Sequence, residues 1–162
     1  MNDFEHLNPA PLALAGEAAT LALGARLAGA LDAPLVVWLC GDLGAGKTTL
    51  VRGVLRGLGF VGKVKSPTYT LVELYATSRL TFHHFDFYRF THPEEFAEAG
   101  LDEYFAANAV CCAEWPEKAL PYIPAPDLRI DLEIAGAARV ARLSAGSERG
   151  AQCLKKIIPP TG

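Results

Sequence analysis

Apolar positions along this chain switch between two periods, and the switches mark out its elements. From Ala18 to Leu31, "AATLALGARLAGAL", leucines at 21, 23, 27 and 31 with interleaved alanines predict an amphipathic first helix. "PLVVWLC", residues 34–40, is short and continuously apolar, as expected of a strand buried on both faces. Helical spacing returns in "KTTLVRGVLRGL", with apolar residues at 50, 51, 54, 55 and 58, and Gly59 supplies a C-terminal stop. Two β-branched and aromatic-rich segments follow, "VKSPTYTLVELY" and "RLTFHHFDFYRF", separated by "ATS"; they predict antiparallel neighbours.

"THPEEFAEAG" predicts a helix capped at Thr91, with Pro93 in its first turn, Glu94 three residues after the cap and Gly100 as terminator. "LDEYFAAN" continues as a second short helix. "AVCCAEW", 109–115, reads as another buried strand, ended by Pro116. Strict alternation in "DLRIDLEI" and "ARVARLSA" around "AGA" predicts a terminal hairpin. After Gly146 the composition turns polar and ends in "PPTG", so residues 146–162 are expected to fray behind a domain spanning 1–145.

Taken together, the order predicts one α/β domain: a mostly parallel central sheet with antiparallel additions and helices on both faces. A length of 162 residues suits a single core, and 51% hydrophobic with 20% charged residues argues against wholesale disorder. The formal charge of −3 leaves no footprint for holding a polyanion alone, so any RNA would be handled by a partner. Cysteines at 40, 111, 112 and 153 make no C-x-x-C pair; Cys40, Cys111 and Cys112 lie in apolar runs and read as small buried residues, and free buried thiols suit a reducing cytoplasm. The N-terminus carries acids and prolines where a signal peptide has its apolar stretch. No window offers ~18 unbroken apolar residues. The expected location is cytoplasmic.

Candidate chemistry is concentrated in "GDLGAGKT", a G-x-x-x-x-G-K-T run from Gly41 to Thr48 between a strand and a helix. Gly41, Gly44 and Gly46 allow a tight turn whose N–H groups point inward, with Asp42, Leu43 and Ala45 completing the loop. The helix opening at Lys47, Thr48 and Thr49 adds its positive end. Lys47 suits β- and γ-phosphates, and the Thr48 hydroxyl suits Mg²⁺. No N-K-x-D motif for guanine is present, so ATP is the expected nucleotide. Asp86 in "FHHFDFYR" and Glu114 in "VCCAEW" each end a strand, where open α/β sheets bind ligands, and each is a candidate to hold Mg²⁺ or orient water. In "KSPTYT", 65–70, Thr68 is placed to sense a γ-phosphate, with an ordinary turn as the alternative. His83 and His84 point to opposite faces of a strand; His84 shares a face with Asp86 and is placed to orient it. Beside Glu114, Trp115 reads as core or interface. No arginine stands out as a finger.

"GDLGAGKTTLVRG", "KSPTYTLVELY", "HFDFYR" and "EWPE", in this order and spacing, resemble the TsaE (YjeE) family from about Leu21 to Arg142. The resemblance implies a weak P-loop ATPase that needs ATP and Mg²⁺. It would act beside TsaD and TsaB in threonylcarbamoyl modification of adenosine-37 of tRNA and reset that complex between turnovers, meeting tRNA only through the complex. It further implies that Lys47 and the loop amides hold phosphates and that Thr48 ligates magnesium. Glu114 would be a magnesium ligand, directly or through water, and Asp86 would take the Walker-B-like catalytic role. Ser66 to Tyr69 would form a switch. Trp115 would neighbour the nucleotide and Arg139 the adenine. Two other readings share the loop: a small-molecule kinase, and a nucleotide-gated binding module that hardly hydrolyses.

Overall fold

Strand placement in this protein is governed by which residues have two apolar faces to bury. The computed structural model describes residues 8–157. Its strands are β1 (Leu12–Leu14), β2 (Leu35–Cys40), β3 (Val72–Ala76), β4 (Thr81–Asp86), β5 (Val110–Glu114), β6 (Leu128–Ala135) and β7 (Ala138–Ala145). They form one sheet in the order β1-β7-β6-β2-β5-β4-β3. The inner strands β6, β2, β5 and β4 run parallel, while β1, β7 and β3 are antiparallel additions. The expected fold class is therefore found.

The helices are α1 (Glu17–Ala30), α2 (Lys47–Gly57), α3 (Glu95–Glu98), α4 (Asp102–Ala106) and α5 (Glu148–Ile157). Alternation along β5 shows how the sheet serves two cores. Val110 and Cys112 join the cluster under α1, α2 and α5, whereas Cys111 and Ala113 join one with Phe85, Phe87, Phe96 and Leu101. The adjacent cysteines thus face opposite ways, and all four thiols are free. Helices α1 and α2 approach closely through glycine. A Cβ on Gly24 would lie 2.6 Å from the Leu50 carbonyl oxygen, and one on Gly53 would lie 2.5 Å from that of Leu21. Leu27 of α1 and Leu50 and Val54 of α2 share one core cluster with Val37 and Leu39 of β2.

Several expectations need correction. Residues 148–157 are not a frayed tail but α5, which buries Ala151, Cys153, Leu154 and Ile157. Ser147 starts it, its hydroxyl accepting from the Gly150 N–H at 3.2 Å and donating to Asp127 at 2.6 Å. Residues 158–162 of the expected tail lie outside the described residues. The helix expected over 91–100 is the single turn α3, and Thr91 is not its cap. Instead the Glu95 carboxylate accepts the N–H groups of Thr91 and His92, at 2.7 and 3.0 Å. The segment 64–71 is not strand, because Leu71 at φ 69° breaks the extended run and its N–H bonds to the Pro67 carbonyl at 2.8 Å. One face of β2 is only half-buried, at Val36, Trp38 and Cys40. Strand β1, pairing with β7, was not anticipated.

Candidate functional site

Parallel pairing aligns the carboxyl ends of β2, β5 and β4, and everything of chemical interest collects there. In register, Leu39 lies beside Glu114 and Glu114 beside Asp86, so the two strand-end acids line up side by side on one side of the exit of β2. The chain leaves β2 through a turn that side chains would block. Gly41 has φ 154°, and a Cβ there would lie 2.6 Å from the Leu132 carbonyl oxygen. Gly46, at φ 102°, forms the N-cap of α2 without any side-chain cap. The N–H groups of Lys47, Thr48 and Thr49 begin the helix and have no intrahelical acceptor. Such an arrangement draws an anion to the loop. Asp42 contributes its carbonyl, which accepts from the Ala45 N–H at 3.1 Å, while its side chain is exposed.

Lys47 is buried and held from three sides. Its Nζ donates to the Gly41 carbonyl, lies 3.9 Å from Glu114 Oε1, and stands 4.2 Å from the centre of the Trp115 ring. Trp115 takes a left-handed conformation, φ 55°, before the 3₁₀ turn Pro116–Ala119, which turns its ring over the ammonium. It is a wall of the site as well as a core residue.

The two acids have different surroundings. Asp86 turns past its strand end: Oδ1 accepts the Tyr88 N–H at 2.8 Å and Oδ2 accepts the Thr68 hydroxyl at 3.4 Å. Thr68 in turn lies 2.7 Å from the Ser66 hydroxyl. Burial raises the Asp86 pKa above the ordinary carboxylate range, against the Tyr88 N–H, and the charge of Glu114 adds to the rise. Glu114 instead meets His84, with Oε2 2.6 Å from Nε2. His84 therefore orients Glu114, not Asp86 as expected, because Asp86 is already turned towards the Tyr88 amide. His83 faces the other core, edge-on to Tyr104 at 5.6 Å, and burial lowers its pKa.

A cavity of about 410 Å³ opens over this edge, and Leu43, Lys47, Thr48, Thr49, Ser66, Thr68, Asp86, Glu114 and Trp115 line it. A second, of about 210 Å³, lies on the other side of the loop and shares Gly44, Gly46 and Thr49 with the first. Arg139 lines it beside Glu17 and Thr20, and its Nη2 donates to the Gly44 carbonyl at 3.0 Å. Two residues of the first cavity escaped the sequence reading: Tyr88, whose ring lies 5.1 Å from that of Trp115, and Arg89. Their position just beyond Asp86, at the carboxyl edge of a parallel strand, was the available signal. Among the described residues no three His, Cys, Asp or Glu side chains converge as a ready-made metal cage.

Fold and site together define a class: a mixed α/β domain whose glycine loop and helix N-terminus face two strand-end carboxylates. The family model described as "Threonylcarbamoyl adenosine biosynthesis protein TsaE" matches residues 14–142, and the chain belongs to that family. A relative from Haemophilus influenzae, named tRNA threonylcarbamoyladenosine biosynthesis protein TsaE, is 45% identical over 116 residues, covering 72% of this chain and 73% of the relative. The protein of that name from Bacillus subtilis is 42% identical over 101 residues, 62% of this chain and 63% of the relative. Among solved structures, Bacillus subtilis YdiB superposes with a TM-score of 0.77 at 31% identity, covering 91% of this chain and 93% of that one. Among the described residues no helix is long and apolar enough to cross a membrane.

Proposed function

We propose that this chain binds ATP with Mg²⁺ and hydrolyses it slowly, as the nucleotide-driven component of tRNA N6-threonylcarbamoyladenosine synthesis beside TsaD and TsaB. One observation carries the reading: Lys47, Thr48, Asp86 and Glu114 line a single cavity above the N-terminus of α2. In it the loop amides and Lys47 bind phosphate oxygens, and Trp115 keeps Lys47 directed at them. The second cavity, walled by Arg139 on the other side of the loop, would receive the base.

The residues present fit magnesium. Thr48, Asp86 and Glu114 are all hard oxygen donors, the kind that suits an ion completing its shell with water and phosphate oxygens. When bound, it would neutralise charge building on the phosphates. Asp86 serves as the acceptor that orients an attacking water, its raised pKa making it a better proton acceptor than a carboxylate at the ordinary value. Glu114, held by His84, would help hold the ion, directly or through water. Thr68, bonded to Asp86 and Ser66, links the 66–70 segment to the reacting end. With only −3 net charge and no basic stripe, the chain leaves the tRNA to its partners, and its place is cytoplasmic.

Phosphate release from ATP by the chain alone, and again with TsaD–TsaB added, tests this. Weak release that rises severalfold with the partners and vanishes in Lys47→Ala is the expected result. Release unaffected by Lys47→Ala overturns the site assignment, and release unaffected by the partners overturns the partner reading.

A further inference from the structure

Arg89 is a cation at the cavity wall with no anion to meet. It lies three residues beyond Asp86, in a turn closed by the Phe90 N–H on the Phe87 carbonyl at 3.0 Å. Phe87 and Phe90 stack at 4.8 Å inside the second core, so the backbone on either side of Arg89 is anchored while its side chain is exposed. Among the described residues the guanidinium makes no hydrogen bond and no ion pair; its one polar contact is the face of the Tyr69 ring, 4.3 Å away. Tyr69 is itself 80% exposed.

Of the cations that line the cavity, this arginine is the one not already committed to an oxygen of the protein. The lining holds two cations, Lys47 and Arg89, against Asp86 and Glu114. Lys47 is already engaged by Glu114 and the Gly41 carbonyl. A polyphosphate entering the cavity therefore needs more positive charge than the loop and Lys47 provide. The topology says which phosphate Arg89 reaches. The glycine loop follows β2 and Arg89 follows β4, with β5 between them, a lateral offset of about 10 Å. The loop holds inner phosphates, and a side chain mounted two strands away meets the outermost one.

We propose that Arg89 binds the terminal phosphate of a nucleoside triphosphate in this cavity, and that its stack on Tyr69 is the resting place it leaves to do so. This rests on the reading of the cavity as an ATP site. The planar guanidinium suits two oxygens of one phosphate, and an exposed stack on tyrosine is weak enough to give up. Tyr69 thereby becomes a brake in the 66–70 segment: anything that covers its ring frees the arginine.

Calorimetric titration of the full chain with ATPγS and with ADP tests the assignment without needing turnover. Arg89→Ala is expected to weaken ATPγS about tenfold while leaving ADP within about twofold, with Arg89→Lys in between. Tyr69→Ala is expected to tighten ATPγS severalfold and leave ADP alone. Equal losses for both nucleotides, or no loss, in Arg89→Ala overturn the terminal-phosphate role. Unchanged or weaker ATPγS binding by Tyr69→Ala overturns the resting-place role. If the wild-type chain binds neither nucleotide, the ATP site falls and Arg89's role with it; thermal unfolding confirms that each variant is folded.

Discussion

Nε2 of His84 and Oε2 of Glu114 lie 2.6 Å apart, with the imidazole fully buried and the carboxylate nearly so. The other ring nitrogen, Nδ1, has no partner among the described residues. That asymmetry fits an imidazole carrying its hydrogen on Nε2, since a buried lone pair costs less than a buried unpaired N–H. His84 then donates to Glu114, and the other carboxylate oxygen is left facing Lys47 at 3.9 Å.

From this geometry His84 is a positioning residue acting through Glu114. His84→Gln, which keeps an N–H near the Nε2 position, is expected to retain most of the hydrolysis. His84→Phe, which keeps the bulk alone, should lower kcat by about tenfold or more with ATP affinity little changed. A double-mutant cycle with Glu114→Gln is the deciding measurement. Loss that adds independently to that of Glu114→Gln would show that the histidine serves packing only.

Asp86 carries the opposite tension between stability and chemistry. Burial holds its pKa up and neighbouring Glu114 holds it up further, so its charged form is a cost to the folded state at neutral pH. Asp86→Asn removes that charge and keeps an oxygen for the Tyr88 N–H. Melting is expected at a higher temperature than wild type, together with a fall of about 10² or more in hydrolysis. Differential scanning calorimetry and a phosphate-release assay on one preparation read both. A destabilised Asp86→Asn would mean that the carboxylate is held by contacts worth more than its burial costs.

Legibility in the sequence followed the length and regularity of the signal. The strand–loop–helix around Gly41–Thr48, the buried β5 and the β6–β7 hairpin have strong local patterns, and the elements form where the patterns put them. Positions at strand ends, Asp86 and Glu114, were legible for the same reason. What a neighbouring strand decides was not: His84 bonds across to β5, although spacing within its own strand pointed to Asp86. Three residues of β1 are too short to show a period, and they form because β7 offers an open edge. Helix α5 hid behind a polar composition, yet Ser147 at its cap, Glu148 in its first turn and Lys155 and Lys156 in its last were readable as start and stop signals.

Helix α5 gives a direct test of that correction. Leu154 is 1% exposed, packed in the core shared with α1 and β7. Leu154→Ala is expected to cost about 2–5 kcal/mol, a drop of about 5–15 °C in Tm. A variant melting within a degree of wild type would show that residues 148–157 do not dock on the domain in solution.

The thiols supply a pH dependence whose sign follows from burial. Burial pushes Cys40 and Cys153 up to about 11 and Cys111 up to about 12, from an ordinary 9.0, and raises Cys112 well above that ordinary value too. Each folded-state pKa is raised, so between pH 9 and 11 the unfolded chain has lost thiol protons that the folded chain keeps. The folded state binds more protons there, and stability therefore falls as pH rises. Below about pH 9 both states hold their thiols protonated, and these groups add no slope. Urea midpoints are thus expected to be level with respect to the thiols up to pH 8.5 and to decline from pH 9 to 10.5, with a shallower decline in Cys40→Ala. The same burial predicts that iodoacetamide at pH 8 labels the native protein slowly and the urea-unfolded protein at all four positions, read by mass spectrometry. Rapid native labelling of Cys153 alone would locate a local opening at α5, since that thiol sits on the helix's buried face.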